Sequence, residues 1–315
     1  MAAATDTVLS GYRALTEGCG LVDRSERGKL ALTGPDAKAF LQGQVTNDVE
    51  GLEPGRGCYA ALLTPKGKML GDLRVLDLGD ELLLDTERSA LQELFNMIRR
   101  FKLGSELELH KRTLEMGLLS LIGPEARTVA GAEGLGRAEH DNLRAELAGR
   151  PVVLVATDLG VDVFTQAADT DAVREALDAP VIPEEVAEIV RVESGRPRYG
   201  VDLDDGVIPQ EAGLNERAVS FTKGCYVGQE TVARLFYRGK PNRHLRGLRL
   251  SADAAPGEEL RLGEKVVGKL ASVVASPAHG QIALALVRRE AEPGATVAVG
   301  DAAAPAVVVA LPFAE

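Results

Sequence analysis

Tryptophan is absent from the 315 residues and aromatic content is only 4%, so any flat surface for stacking a ligand must come from Tyr or Phe. Cysteine is nearly as scarce. Cys19, Cys58 and Cys225 lie far apart and form no CxxC or Cys/His spacing, which excludes a zinc cage or a whole iron–sulfur cluster held by this chain alone. Reduced thiols and no metal site are the expectation. No apolar run approaches the ~18 residues of a spanning helix. The segment MAAATDTVLSGYRALTEGCG has neither the basic nor the apolar stretch of a secretory signal, so no membrane association and a cytoplasmic location are expected. Cations are in the minority, with a net charge of -11, which argues against general nucleic-acid binding.

What is present is ample apolar material, 45% of the chain, enough for two or three packed domains. Two segments share one layout, an apolar run followed by Gly-Pro, an acid and Ala: KLALTGPDAKAFLQ from Lys29 and LLSLIGPEARTVA from Leu118. Pro and an acid at the start of a helical pattern mark a strand-to-helix junction. Each junction is followed by strand-like runs and an amphipathic stretch, giving a pseudo-repeat at about 20–110 and 114–180. The pattern predicts an α+β fold of sheets with helices packed on them. A helix EEVAEIVRVESG from Glu184 leads into a long Gly/Pro/Asp-rich loop, either functional or a surface connector. Past about residue 240 short apolar strands alternate with turn residues, the pattern of a small β-barrel. The expected domains are therefore 1–240 and 241–315.

The densest motif is FTKGCYVGQETVAR, residues 221–234. Its glycines allow a tight backbone path on which Cys225 and Tyr226 are expected to face a cavity, with Gln229, Glu230 and Arg234 supplying polar groups. Lys223 stands two residues from Cys225, where an ammonium favours a thiolate; the alternative is a cysteine that simply packs. Between Lys223 and Arg249 seven basic residues face one acid, Glu230, so the segment is either an anion-docking face or a solvated basic strand pair.

The run Lys-Gly-Cys-aromatic-x-Gly-Gln-Glu resembles the signature of the YgfZ family, folate-binding relatives of the glycine-cleavage aminomethyltransferase. LTGPDAKAFLQGQVTNDV, LTPKGKMLGDLRV and RVESGRPRYGVDL extend the likeness over about residues 20–250. It implies three lobes with ferredoxin-like sheets around a central hole that holds tetrahydrofolate, closed by a C-terminal barrel. It further implies that Glu193, in the Arg-x-Glu-x-Gly pattern, holds the pterin, because one carboxylate can accept from an exocyclic amine and a ring N–H together. Tyr199, Tyr226, Gly228, Gln229 and Glu230 are expected around the ligand, with Arg234, Arg238 and Lys223 receiving its carboxylate tail. True aminomethyltransferases of this family carry an Asn and, seven residues on, an Asp where this chain has Thr86 and Glu93. That departure counts against aminomethyl transfer.

The resemblance thus implies a tetrahydrofolate-binding accessory protein in iron–sulfur cluster assembly or repair, monomeric, with Cys225 as the working thiol. Its clients would be cluster-containing proteins such as tRNA-modifying enzymes, and direct nucleic-acid contact is not expected. Two alternatives stay open: a tetrahydrofolate-dependent aminomethyl- or methyltransferase, and a protein that docks tRNA or a partner through the basic segment 223–249.

Overall fold

The structure, a computed structural model, describes residues 2–314, with side chains from residue 6 onwards. A helix that the sequence reading did not anticipate, α1 (Ala2–Glu17), opens the chain. Then follow β1 (Gly20–Asp23), β2 (Gly28–Thr33), α2 (Ala37–Gln42), β3 (Gly57–Leu63), β4 (Met69–Asp77), β5 (Leu82–Thr86), α3 (Leu91–Phe101) and β6 (Glu108–Lys111). The next stretch runs β7 (Met116–Ile122), α4 (Ala126–Val129), β8 (Asn142–Leu147), β9 (Arg150–Ala156), β10 (Gly160–Gln166) and α5 (Thr170–Ala176). Helices α6 (Glu184–Glu193), α7 (Asn215–Ala218) and α8 (Gln229–Arg238) precede the last six strands, β11 (Arg243–Leu250), β12 (Glu259–Leu262), β13 (Lys265–Ser276), β14 (Gly280–Arg288), β15 (Thr296–Val299) and β16 (Ala304–Val309).

The first sheet has the order β3-β4-β5-β2-β6 and the second β8-β9-β10-β7-β1. Position for position these are one topology: a lead strand, a short helix, a three-stranded meander whose last strand returns beside the first, and a final strand on the far edge. In the second sheet that final strand is β1, lent by the start of the chain. The two Gly-Pro junctions show why each lead strand ends where it does. Gly34 and Gly123 have φ of 105° and 124°, and a Cβ would stand 2.4 Å from the carbonyl oxygens of Glu106 and Gly18 respectively. Only glycine fits so close to another backbone.

One face of the first sheet packs on α2 and α3 through Leu30, Leu32, Phe40, Leu73, Val75, Leu94 and Ile98. The outer face of the second is covered by α4 and α5. The remaining faces of the two sheets meet through Leu76, Leu83, Leu118, Val155 and Phe164. Strands β11 to β16 close into a barrel. Helix α6 joins this third lobe to the rest, packing on α1 through Val186 and Val190 and on the barrel through Val192. The fold is α+β with three lobes, and the two sheets and α6 enclose a common centre whose lining residues come from outside the barrel. Among the described residues no helix is long and apolar enough to cross a membrane.

Candidate functional site

At that centre lies a chamber of about 230 Å³ whose walls come from both sheets, α6 and the loop after it. Its polar character begins with strand alternation. Asp72 and Arg74 sit two apart on β4, opposite Ala61 and Tyr59 of β3, while Asp85 of β5 stands opposite Arg74. With side chains alternating between faces, Leu73, Val75 and Leu84 go to the helix-covered core and Tyr59, Asp72, Arg74 and Asp85 to the centre.

Most charges there are paired. Asp85 is fully buried between Arg27 (2.9 Å) and Arg74 (2.7 Å), and the two guanidiniums hold its carboxyl well below the usual carboxylate range despite burial. Arg74 continues to Asp162 of β10 at 2.5 Å, tying one sheet to the other. Glu184 takes two bonds from Arg24, Glu188 is held by Arg191 and Arg198, Asp158 by Arg196 and Glu139 by Arg217.

Among the buried acids Asp72 is the exception. It is only 7% exposed, and its one side-chain partner among the described residues is the Tyr59 hydroxyl, which donates to Oδ2 at 2.6 Å. Burial raises its pKa from 3.8 to about 6, against the lowering effect of the tyrosine bond. The same burial, with the carboxylate alongside, pushes the Tyr59 phenol well above its usual value, so the shared proton stays on the tyrosine. A carboxyl that changes charge near neutral pH beside a cavity is equipped to give or take a proton. Nothing in the motif reading pointed to Asp72. The available signal was two charged residues in alternation, Asp72 and Arg74, inside an otherwise apolar strand.

The sequence-expected residues divide between this chamber and two other places. Tyr199 lines it, as does Tyr59. Glu193 does not. Its carboxylate accepts from the Tyr12 hydroxyl at 3.1 Å and from the Ser276 hydroxyl at 2.5 Å, between α1 and the barrel. The reason is helical periodicity: Glu184, Glu188 and Arg191 recur at i, i+4 and i+7 and share the chamber face, which leaves Glu193 pointing away. Of the buried carboxylates lining the chamber, the one that no arginine engages is Asp72.

The signature segment lies outside the chamber. Tyr226 is buried in a core of Ala61, Leu63, Leu214 and Val232, not facing a cavity. Burial lifts its phenol to about 12. Lys223 is not directed at Cys225: its Nζ donates to the carbonyls of Gln42, Val45 and Asn47 at 2.6, 2.8 and 2.7 Å. Those three bonds clasp the turn after α2. Burial lowers the ammonium to about 8. Gly228, with φ of 85°, begins α8, and a Cβ there would stand 2.6 Å from the Thr64 carbonyl oxygen. The glycine therefore serves the docking of α8 onto the β3–β4 turn. Gln229 is half-buried on α8, while Glu230, Arg234 and Arg238 are exposed, and none of the four lines the chamber. The cations lining the chamber are instead arginines, Arg24, Arg27, Arg196, Arg198 and Arg217 among them, each already paired with a carboxylate.

Cys225 is exposed; Cys58 is half-buried and Cys19 buried, and burial pushes those two thiols up to about 12 and 11. Beyond Cys225, Phe221 stacks on Phe236 at 3.8 Å and Tyr237 meets Phe236 edge-on at 5.0 Å. Phe236 and Tyr237 are 48% and 66% exposed, with Arg234 and Arg238 on the same helix. Two arginines of the basic segment are already engaged. Arg243, at the start of β11, is bound by Glu211, and Arg249 by the Ala314 carbonyl. Glu93 lies exposed on α3, and Thr86 is buried with its hydroxyl on the Asp72 carbonyl.

Comparison with known proteins follows the same lines. The GCVT N-terminal domain matches residues 2–142 and the glycine cleavage T-protein C-terminal barrel domain matches residues 243–315. The chain is 29% identical over 304 residues to a putative chloroplastic transferase of Arabidopsis thaliana, covering 91% of this chain and 70% of the relative. It is 30% identical over 318 residues to an aminomethyltransferase of Rubrobacter xylanophilus, covering 96% and 85%. To the tRNA-modifying protein YgfZ of Photorhabdus laumondii it is 30% identical over 254 residues, covering 78% and 76%. Among solved structures, glycine cleavage system aminomethyltransferase T from Bartonella henselae superposes with a TM-score of 0.87 at 23% identity, over 98% of this chain and 90% of that one. That likeness is one of fold.

Proposed function

The chain belongs to the family of glycine-cleavage T-proteins and YgfZ proteins, and from that premise we propose that it binds tetrahydrofolate in the central chamber. The observation that carries the reading is Asp72, the buried acid whose only side-chain partner among the described residues is the Tyr59 hydroxyl, in a chamber where arginines engage the other buried carboxylates. The chamber's chemistry fits the ligand. A pterin offers an amine and a ring N–H side by side, which an open carboxylate oxygen accepts. Tyr59 and Tyr199 supply ring surface, and Arg196 and Arg198 suit the carboxylates of the tail.

Bound folate would serve an accessory protein of iron–sulfur cluster assembly or repair in the cytoplasm, supporting cluster-dependent enzymes such as those that modify tRNA. The separation of the two sites supports this. The ligand residues face inwards, whereas Cys225, the aromatic trio and the cations of α8 face outwards, where a client protein can reach them. In a strain lacking its own homologue, Cys225→Ser is expected to lower the activity of cluster-dependent enzymes while leaving tetrahydrofolate affinity unchanged. Full activity with the serine variant would remove the thiol from the account.

A second reading, folate-dependent aminomethyl or methyl transfer, is favoured by the Asp72 carboxyl at about 6, which suits general acid–base work near neutral pH. The place of Asp72 also weakens the argument from Thr86 and Glu93, since neither is the chamber's acid. Formation of methylenetetrahydrofolate by the purified protein, lost in Asp72→Asn, would replace the accessory reading with this one.

A further inference from the structure

Helix α8 buries almost nothing within its own chain. Of its ten residues only Val232 is buried, and a helix this short is marginal unless an apolar face packs on a neighbour. Glu230, Arg234, Tyr237 and Arg238 recur at i, i+4, i+7 and i+8 and so share one face; all four are exposed. Phe236, on the flank of that face, stacks on Phe221 at 3.8 Å and meets Tyr237 edge-on at 5.0 Å. The result is an aromatic cluster open to solvent, with Phe236 48% and Tyr237 66% exposed, in a chain with only seven Phe and five Tyr. Ring surface of this kind, left wet on a folded protein, marks a place of contact.

The cations beside it are equally open. Arg234, Arg238 and Lys240 are exposed and make no ion pair or side-chain hydrogen bond among the described residues, whereas Arg243 and Arg249, further along, are bound by Glu211 and the Ala314 carbonyl. The face is therefore basic, with Glu230 as its one acid, on a chain whose net charge is -11. A short acidic segment is attracted to such a face at close range. A nucleic acid is not favoured, because its affinity accumulates over many phosphate contacts and beyond these few cations a long polyanion meets an acidic molecule. Tyr and Arg side by side are also the residues that carry most of the energy where proteins meet.

We propose that the exposed face of α8, together with Phe221, is a docking surface for an acidic protein segment that carries an apolar side chain. The segment's carboxylates meet Arg234, Arg238 and Lys240, and its apolar side chain covers Phe236 and Tyr237. Phe221 belongs to the same signature run as Cys225, whose thiol is exposed, so docking brings the partner to the stretch of surface that carries the thiol. The inference deepens the accessory reading and rests on it for taking the occupant to be a client protein.

The test is fluorescence anisotropy with the full chain and three labelled probes of equal length: a peptide of Asp, Glu, Leu and Phe, the same peptide with Lys in place of its acids, and oligouridylate. Saturable binding of the acidic peptide is expected, weakened at least about tenfold by Tyr237→Ser and by Arg234→Ala with Arg238→Ala. Arg234→Glu with Arg238→Glu is expected to reverse the preference in favour of the Lys peptide, a gain that misfolding cannot produce. Tetrahydrofolate affinity is expected to be the same in every variant, because none of these residues lines the chamber. No binding of the acidic peptide by the unmutated protein, binding that ignores the variants, or tighter binding of oligouridylate would overturn the proposal, the last by assigning the face to nucleic acid. Acidic-peptide binding by a protein that takes up no tetrahydrofolate would remove the chamber reading and leave this surface standing.

Discussion

Replacing Asp72 by Asn keeps the shape of the side chain and an oxygen to accept from Tyr59, but removes the buried charge. In the folded protein the carboxyl titrates at about 6 against an ordinary 3.8. Ionising it in the fold therefore costs about 3 kcal/mol more than ionising it in the unfolded chain. Because the folded value is raised, the neutral acid is the favoured form: its stabilising contribution is full below 3.8 and is lost as pH rises through about 6. At about pH 7.5 the Asn variant is thus expected to be more stable than the unmutated protein, by about 1–3 kcal/mol once imperfect pairing with Tyr59 is allowed for. At about pH 5 the unmutated fold has taken up the proton, and the gap should narrow by about 1.4 kcal/mol. Urea unfolding of both proteins at the two pH values measures this directly, with unchanged slopes as the control that the same surface is exposed. A gap that does not depend on pH, or an Asn variant less stable at both, would mean that Asp72 is not the strained acid described. Gain of stability with loss of tetrahydrofolate affinity is the pattern of a residue kept for its site.

Three further outcomes follow from the geometry. Lys223→Met leaves three carbonyls of the 42–47 turn without their donor and is expected to cost about 2–4 kcal/mol in urea unfolding, while the reactivity of Cys225 towards a thiol reagent stays the same. At neutral pH one thiol, Cys225, should react promptly with such a reagent and the other two only on unfolding, since burial holds Cys58 and Cys19 up at about 12 and 11; fast reaction of all three would contradict this. Arg191→Met strands the fully buried Asp202 carboxylate, to which Arg191 bonds at 2.8 Å, and also severs the bond to Ser272 of the barrel. A loss of about 3–5 kcal/mol in thermal or urea unfolding is expected.

Local pattern made much of the fold legible. The two Gly-Pro-acid-Ala junctions each mark the end of a lead strand, and the apolar spacing of Leu91, Leu94, Phe95 and Ile98 falls on α3. The alternating strands after residue 243 form a closed barrel. The site was less legible because its walls are assembled from residues between 24 and 217 that meet only in three dimensions. Glu193 illustrates the difficulty: the Arg-x-Glu pattern gives the residue but not its partners, one of which is Tyr12 of α1, 181 residues away in the chain. The signature segment was conspicuous partly because Gly228 and Lys223 are constrained by close packing against residues 64–67 and 42–47 respectively. Close packing and ligand contact leave the same trace in a sequence.

The most direct test of the central claim is calorimetric titration of the reduced, full-length chain with tetrahydrofolate, alongside Asp72→Ala and Cys225→Ala. Saturable binding by the unmutated protein, weakened at least about tenfold by the Asp72 change and untouched by the Cys225 change, is the expected result. Binding that survives loss of Asp72 but disappears with Cys225, or no binding at all, would contradict the chamber as the folate site.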